Sequence, residues 1–135
     1  MPVRYSFEDV IFKMVPEGEY SPQDMIDCFD TALADPAFPA NARYLLDVSR
    51  ADSLVKHTNS DMLQILGYFI PRSDRVGRKC ALVAKPQVHY GKMRMAAAWG
   101  QDQGLDVRVF RVYEEAVRWL KGESEVERIS LETPG

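Results

Sequence analysis

The sequence has 135 residues, 46% of them hydrophobic and 27% charged, with a formal net charge of −3. This composition fits one globular domain and excludes a disordered chain. Because residues 123–135 hold four glutamates against one arginine, residues 1–122 are close to neutral. A nearly neutral body excludes a global field that would steer nucleic acid. We therefore predict a single domain over residues 1–122 and an acidic, frayed tail over 123–135.

The cysteines and the apolar runs indicate in which cellular compartment the protein is expected. Cys28 and Cys80 lie in helical and strand patterns, so we expect two buried, reduced thiols. No apolar run approaches the roughly 20 residues that span a bilayer. The N-terminal residues lack the apolar core of a signal peptide. We predict no transmembrane segment and a cytoplasmic location.

The first part of the chain reads as a hairpin followed by a helix. Residues 3–8 and 9–15 alternate as strands do, with Glu8-Asp9 as the turn between them. Ser21 is a suitable N-cap for the next helix, which Asp35 and the following proline end. Its apolar positions recur at helical spacing: Met25, Ile26, Phe29, Ala32 and Leu33.

Residues 43–48 form a nearly continuous apolar run, which is typical of a strand buried on both faces of a parallel sheet. A polar loop over 49–57 follows. Thr58 and Asp61 resemble a capping box and predict a second helix. The basic stretch 72–79 has no interleaved aromatic residues, so we expect a solvated loop there.

The remaining elements continue the alternation. Residues 79–84 are predicted as a buried strand, 88–103 as a helix closed by Gly104, 105–110 as an edge strand, and 112–121 as a last helix. Strands separated by helices pair in parallel through right-handed crossovers. The sequence therefore predicts an α/β fold, with a mixed, mostly parallel sheet of about five strands and about four helices, opening with a β-hairpin.

In such sheets, ligands bind at the carboxyl ends of the strands. That rule selects the loops over 47–53 and 85–92, which both lead into helix N-termini, where anions are favoured. The alternative is a set of capped helix ends with solvated lysines. The candidate residues for binding a ligand or partner are Asp47, Ser49, Arg50, Ser53, Lys85, His89, Tyr90 and Lys92.

The sequence offers no clear catalytic, metal or cofactor site. His89 begins a helix, but a general base also needs a partner carboxylate and a substrate proton, and the sequence shows no such set. A surface or packing role is the simpler interpretation of His89. His57 and His89 are far apart and no cysteine pair has ligand spacing, so we predict no metal. The phosphate-binding and dinucleotide glycine motifs are absent, so we predict no cofactor.

The third predicted helix is apolar over much of its circumference. Core packing explains this in the simplest way, whereas a lipid-like pocket or a dimer face is the more specific explanation. The residues concerned are Met93, Met95, Ala96, Ala97, Ala98 and Trp99.

Several segments taken together resemble a known family. They are Arg43-Tyr44-Leu45-Leu46-Asp47-Val48-Ser49, Gly77-Arg78 before a strand, His89-Tyr90-Gly91 opening the Met- and Ala-rich helix, Val107-Arg108-Val109-Phe110, and Glu114-Glu115-Ala116 with Trp119-Leu120. This set resembles the SpoIIAA-like (STAS) fold of anti-sigma-factor antagonists. It is more similar still to a family of small, mostly uncharacterised bacterial proteins with that fold, over roughly residues 3–122.

The resemblance carries implications for function. In the antagonists, a phosphorylated serine or threonine follows an Asp-Ser pair at a helix start and precedes a glycine. Asp52-Ser53 matches that pair, but Leu54 and Val55 stand in place of the hydroxyl and the glycine. Ser53 itself, Thr58 and Ser60 are the nearby hydroxyls. The family also resembles lipid-binding folds of the CRAL-TRIO type, which implies an apolar ligand and no particular residue set.

We predict a non-enzymatic binding or regulatory domain of the SpoIIAA-like type, whose partner is another protein or a second copy in a homodimer. An alternative is a carrier of a small apolar or anionic molecule or a lipid, with its pocket near residues 85–93. An enzyme using His89 and Asp47 is a second alternative. We expect no nucleic-acid partner.

Overall fold

A five-stranded sheet with its strands in chain order runs through the computed structural model. The strands are β1 Val3–Glu8, β2 Ile11–Pro16, β3 Arg43–Asp47, β4 Lys79–Val83 and β5 Asp106–Phe110. Strand β1 pairs antiparallel with β2, and all other neighbouring strands pair in parallel. The prediction of a mixed, mostly parallel sheet that opens with a hairpin is confirmed.

The structure describes residues 2–76, 78–85 and 87–122. The predicted acidic tail, residues 123–135, lies outside this range, and so do the side chains of Ser53, Val55, Gln87 and Val88. Within the described residues, every helix is too short or too polar to cross a bilayer.

The hairpin turn lies one residue later than the sequence predicts. Asp9 has a positive φ of 54°, a conformation that aspartate tolerates better than most residues. Residues 9 and 10 form the turn, so β2 begins at Ile11 rather than at Asp9. This register places Ile11 and Phe12 beside Arg43 and Tyr44 of β3.

Four α-helices connect or follow the strands: α1 Pro22–Ala34, α2 Asn59–Phe69, α3 Gln87–Asp102 and α4 Tyr113–Lys121. Capping boxes begin α1 and α2, with Ser21 and Thr58 each bonded to the residue three positions on. Gly104 follows α3 with a φ of 85°, a left-handed conformation that favours glycine.

Two segments predicted as loops are partly helical. The stretch 49–57 contains a first 3₁₀ helix, Asp52–Lys56, and a second 3₁₀ helix spans Ile70–Val76. The prediction of a solvated loop after α2 is wrong at Ser73, which is fully buried. Its hydroxyl donates to the Ile70 carbonyl at 2.7 Å and accepts from Arg78, so its burial leaves no unpaired polar group.

The helices form two unequal layers. Helices α1, α2 and α3 pack with Tyr44, Cys80 and Val107 on one face of the sheet. Helix α4 packs on the other face, where Leu45 and Ala81 are buried. Three successive right-handed crossovers between adjacent strands place their helices on the same side, which explains the division. Each central strand is therefore covered on both faces, as its apolar run predicts.

Candidate functional site

Three parallel strands end together at one edge of the sheet. The Val48 N–H donates to the Val83 carbonyl at 2.9 Å, and the Ala84 N–H donates to the Phe110 carbonyl at 2.9 Å. The loops that begin at Ser49, Lys85 and Arg111 therefore leave the same edge. The sequence predicts this for the first two loops and does not select the third. We call this the carboxyl edge.

Asp47 and Ser49 brace the loop after β3. One carboxylate oxygen of Asp47 accepts from the Ser49 N–H at 3.0 Å and from its hydroxyl at 2.6 Å. The exposed Arg50 contributes its carbonyl to the fold, which accepts from the Gly18 N–H at 2.9 Å. The two bonds from Ser49 give Asp47 a structural role in the loop.

The residues predicted after β4 have different environments. Lys85 is exposed, whereas His89 is buried, and its Nδ1 has no hydrogen-bond partner among the described residues. The half-buried ring of Tyr90 lies 4.3 Å below the Arg111 guanidinium, measured to the ring centroid. Arg111, from the loop after β5, is a residue that sequence reasoning missed.

Lys92 ties α3 to the first 3₁₀ helix. Its ammonium donates to the carbonyl of His57, the residue that ends that helix. His57 is buried; its Nε2 lies 3.1 Å from the Tyr20 carbonyl, and its ring meets the Tyr20 ring edge-on at 4.7 Å. The sequence placed His57 in a polar loop and offered no signal for its burial.

The carboxyl edge thus contains three separate contacts: Asp47 with Ser49, Tyr90 with Arg111, and Lys92 with His57. Among the described residues, none of the hydrogen bonds or ion pairs joins Asp47 to His89. The side chain of Ser53 lies outside the described part. No group of three or more histidine, cysteine or acidic side chains within the described ranges has the geometry of a metal site.

A cavity of about 70 Å³ lies beneath this edge, between the sheet and helices α1, α2 and α3. Its wall is almost entirely apolar and includes four methionines from four elements: Met14, Met25, Met62 and Met93. The sequence offers six residues of α3 for a pocket or a dimer face. Met93 and Ala96 line the cavity, whereas Met95, Ala97 and Ala98 do not. Trp99 does not line this cavity and instead faces a surface groove with Leu63.

The polar atoms in the cavity wall are uncharged at neutral pH. Burial raises the pKa of the Tyr44 phenol, of the Tyr20 phenol and of the Cys80 thiol. The Tyr44 hydroxyl lies 3.4 Å from the Met14 sulfur, a weak acceptor within the wall itself. The cavity therefore offers no charge and suits a neutral ligand.

The cavity and the carboxyl edge are adjacent. Tyr20, Leu54 and Met93 all line the cavity. Tyr20 contacts His57, Leu54 lies within the first 3₁₀ helix, and Met93 follows Lys92 in the chain. The Lys92–His57 contact therefore joins α3 to the first 3₁₀ helix at this end of the cavity.

No protein-family model and no curated protein matches the sequence. The chain is similar in structure to an uncharacterised protein of the DUF3478 family from Shewanella loihica PV-4, which has a SpoIIAA-like fold. The TM-score is 0.59 at 13% sequence identity, and the match covers 87% of this chain and 93% of that one. At that identity the likeness concerns architecture alone. The protein therefore has a SpoIIAA-like fold.

Proposed function

We propose that the protein is a non-enzymatic binding domain that holds a small apolar ligand in the cavity between the sheet and helices α1 to α3. The cavity itself carries this proposal. At about 24 cal/mol per Å³, a void of 70 Å³ costs about 1.7 kcal/mol of folding free energy. A folded domain has only about 5–15 kcal/mol of net stability, so this is a substantial cost, which a bound ligand would offset.

The wall defines the class of ligand. It presents methionine sulfurs and aromatic rings and no charge, which favours a neutral hydrocarbon or aromatic group. Pockets for drug-sized molecules usually measure about 300–1,000 Å³. The 70 Å³ cavity therefore admits only a small ligand unless its wall moves. Methionine side chains are flexible and re-pack easily, so the wall has the means to expand.

In this proposal, the predicted residues of the carboxyl edge form the rim of the cavity. Lys92 holds the first 3₁₀ helix over the end of the cavity, and Tyr90 lies beside it on α3. We propose that a ligand enters between these elements. Asp47 and Ser49 keep the neighbouring loop in shape. Arg50 and Lys85 lie on the loops after β3 and β4, and the buried His89 lies in the first turn of α3.

Native mass spectrometry of the gently purified protein tests the proposal. The wild type should carry a small noncovalent adduct that is removed by organic solvent. Ala96→Leu extends a side chain into the cavity and should abolish the adduct. Ala98→Leu makes the same change at an exposed position of the same helix and should retain it.

Xenon provides a probe that does not require the natural ligand to be known. Apolar cavities in proteins bind it. Under xenon pressure, the methyl signals of Met14, Met25, Met62 and Met93 should shift in the wild type and in Ala98→Leu, and should stay unchanged in Ala96→Leu. A wild type that carries no adduct and shows no methyl shift would contradict the proposal and would leave a protein partner as the stronger hypothesis.

A further inference from the structure

A basic groove lies at the opposite edge of the sheet from the carboxyl edge. Its cations are Arg43, Arg75 and Lys79, and its single carboxylate is that of Asp74. Arg43 and Lys79 begin strands β3 and β4, so the groove lies where the parallel strands start. We call it the amino-edge groove.

The three cations have no acidic partner within the described residues. Arg75 stacks over the Phe38 ring at 5.0 Å and donates to the Leu33 carbonyl, and Lys79 lies 4.6 Å from the Trp119 ring centroid. These contacts position the cations without neutralising them. The carboxylate of Asp74 lies 3.4 Å from Arg78, so it is already engaged outside the trio. The groove therefore has an excess of positive charge although residues 1–122 are close to neutral.

The described part of the chain ends near this groove, and the acidic residues 123–135 follow it in the sequence. The Arg43 guanidinium donates to the Leu120 carbonyl near the end of α4. Arg43 therefore both lines the groove and contacts the last helix. Lys121 forms an ion pair with Asp9 at 3.2 Å, and Gly122 turns the chain with a φ of 80°. The described part of the chain therefore ends, at Gly122, close to the groove.

We propose that residues 123–135 dock into the amino-edge groove of their own chain. The segment brings Glu123, Glu125 and Glu127 at alternate positions, and it holds the whole formal net charge of the protein. A short tether gives a segment a high effective concentration at a nearby site, so weak exposed ion pairs suffice to hold it. A docked segment also prevents acidic segments of other proteins from binding in the groove.

Paramagnetic broadening in the full chain tests this contact. A nitroxide on Ser130→Cys labels one site, because the native thiols of Cys28 and Cys80 are buried. We expect selective loss of amide signal at Arg43, Arg75 and Lys79 and none near Lys85. The Debye length falls from about 10 Å at 0.1 M salt to about 3 Å at 1 M, so high salt should restore the signals.

Two charge variants identify the partners. Glu123→Gln, Glu125→Gln and Glu127→Gln together alter only the tail and should restore the groove signals, as should Arg75→Gln with Lys79→Gln. The control removes two exposed cations elsewhere, Arg4→Gln with Lys56→Gln, and should leave the broadening intact.

Three results would overturn the proposal. They are signal loss that is uniform over the surface, loss centred on Lys85, and loss that persists in the tail variant. A mixture of isotope-labelled protein without nitroxide and unlabelled protein with nitroxide separates docking within one chain from docking between copies. Broadening that survives in the mixture would mean that the segment binds a second copy instead.

Discussion

Helix α3 approaches the sheet closely at Gly100, and adding one methyl group there should destabilise the fold. A Cβ at this position would lie 2.8 Å from Cγ2 of Val107 and 3.6 Å from Cδ1 of Leu105. Val107 is β-branched and stiff at χ1, so its methyl group has little freedom to move away. Gly100→Ala therefore pushes α3 away from β5 beside the cavity. Overpacking of this kind costs about 1–3 kcal/mol.

The same helix contains the matched control. A methyl group added at Gly91 would meet nothing within 4 Å, and the residue is exposed, so Gly91→Ala gains only the helix propensity of alanine, about 1 kcal/mol. Since Gly100→Ala gains the same propensity, the difference between the two variants isolates the steric cost, which we expect at about 1–3 kcal/mol.

Urea denaturation followed by circular dichroism measures both free energies of unfolding. Adding Val107→Ala to Gly100→Ala should remove part of the steric cost, so the double variant should be more stable than the sum of the single changes predicts. If Gly100→Ala were as stabilising as Gly91→Ala, the close packing of α3 on β5 would be wrong.

Three further outcomes follow from individual contacts. Thr58→Ala should cost about 1 kcal/mol in urea denaturation, because it removes the capping bond to the Asp61 N–H, whereas the exposed Ser60→Ala should change stability by less than about 0.5 kcal/mol. Burial raises the pKa of the Cys28 thiol to about 11 and raises that of Cys80 further, so a thiol reagent at mildly alkaline pH should label neither until denaturant is added; rapid labelling of the native protein would contradict their burial. The Ala37 N–H and the Tyr5 hydroxyl hold the pKa of Asp35 below its usual value; its contribution to stability is therefore present above about pH 4 and is lost as the pH falls through the lowered pKa. Acid titration of unfolding should show a shallower decline for Asp35→Asn than for the wild type, and parallel curves would refute this assignment.

The sequence predicts the framework of the fold well because local signals are strong there. Continuous apolar runs predict β3 and β4 as central strands, and the structure pairs Leu46 with Leu82 in parallel. Ser21 and Thr58 supply caps whose hydrogen bonds lie within three residues along the chain, so the helix starts are predictable without tertiary information. Gly104 ends α3 for the same local reason.

The parts that sequence reasoning missed depend on contacts between distant residues. Burial of His57 requires Tyr20, which lies 37 positions earlier in the chain. The fully buried Ser73 lies in the second 3₁₀ helix, which packs against α2 and strand β4. The cavity wall combines residues from β2 to β5 and three helices, and each of its positions has the apolar pattern of ordinary core. The spacing of apolar residues predicts which side chains face the core. It does not predict where those side chains leave a gap in the packing.

The position of the cavity follows from the unequal cover of the two sheet faces. On the α4 side, the small side chains of Ala81 and Ala116 let the helix approach closely, and Trp119 fills the remaining space. A single helix can settle onto a sheet without restraint from neighbours. On the opposite side, three helices must fit against the sheet and against one another, and each is tethered at both ends by the strands it connects. Flexible methionine side chains fill most of the space between these helices and the sheet, and the cavity is the part that stays unfilled. A ligand larger than the cavity would therefore displace α1, α2 or α3, and the α4 layer would keep the central strands in register during that movement.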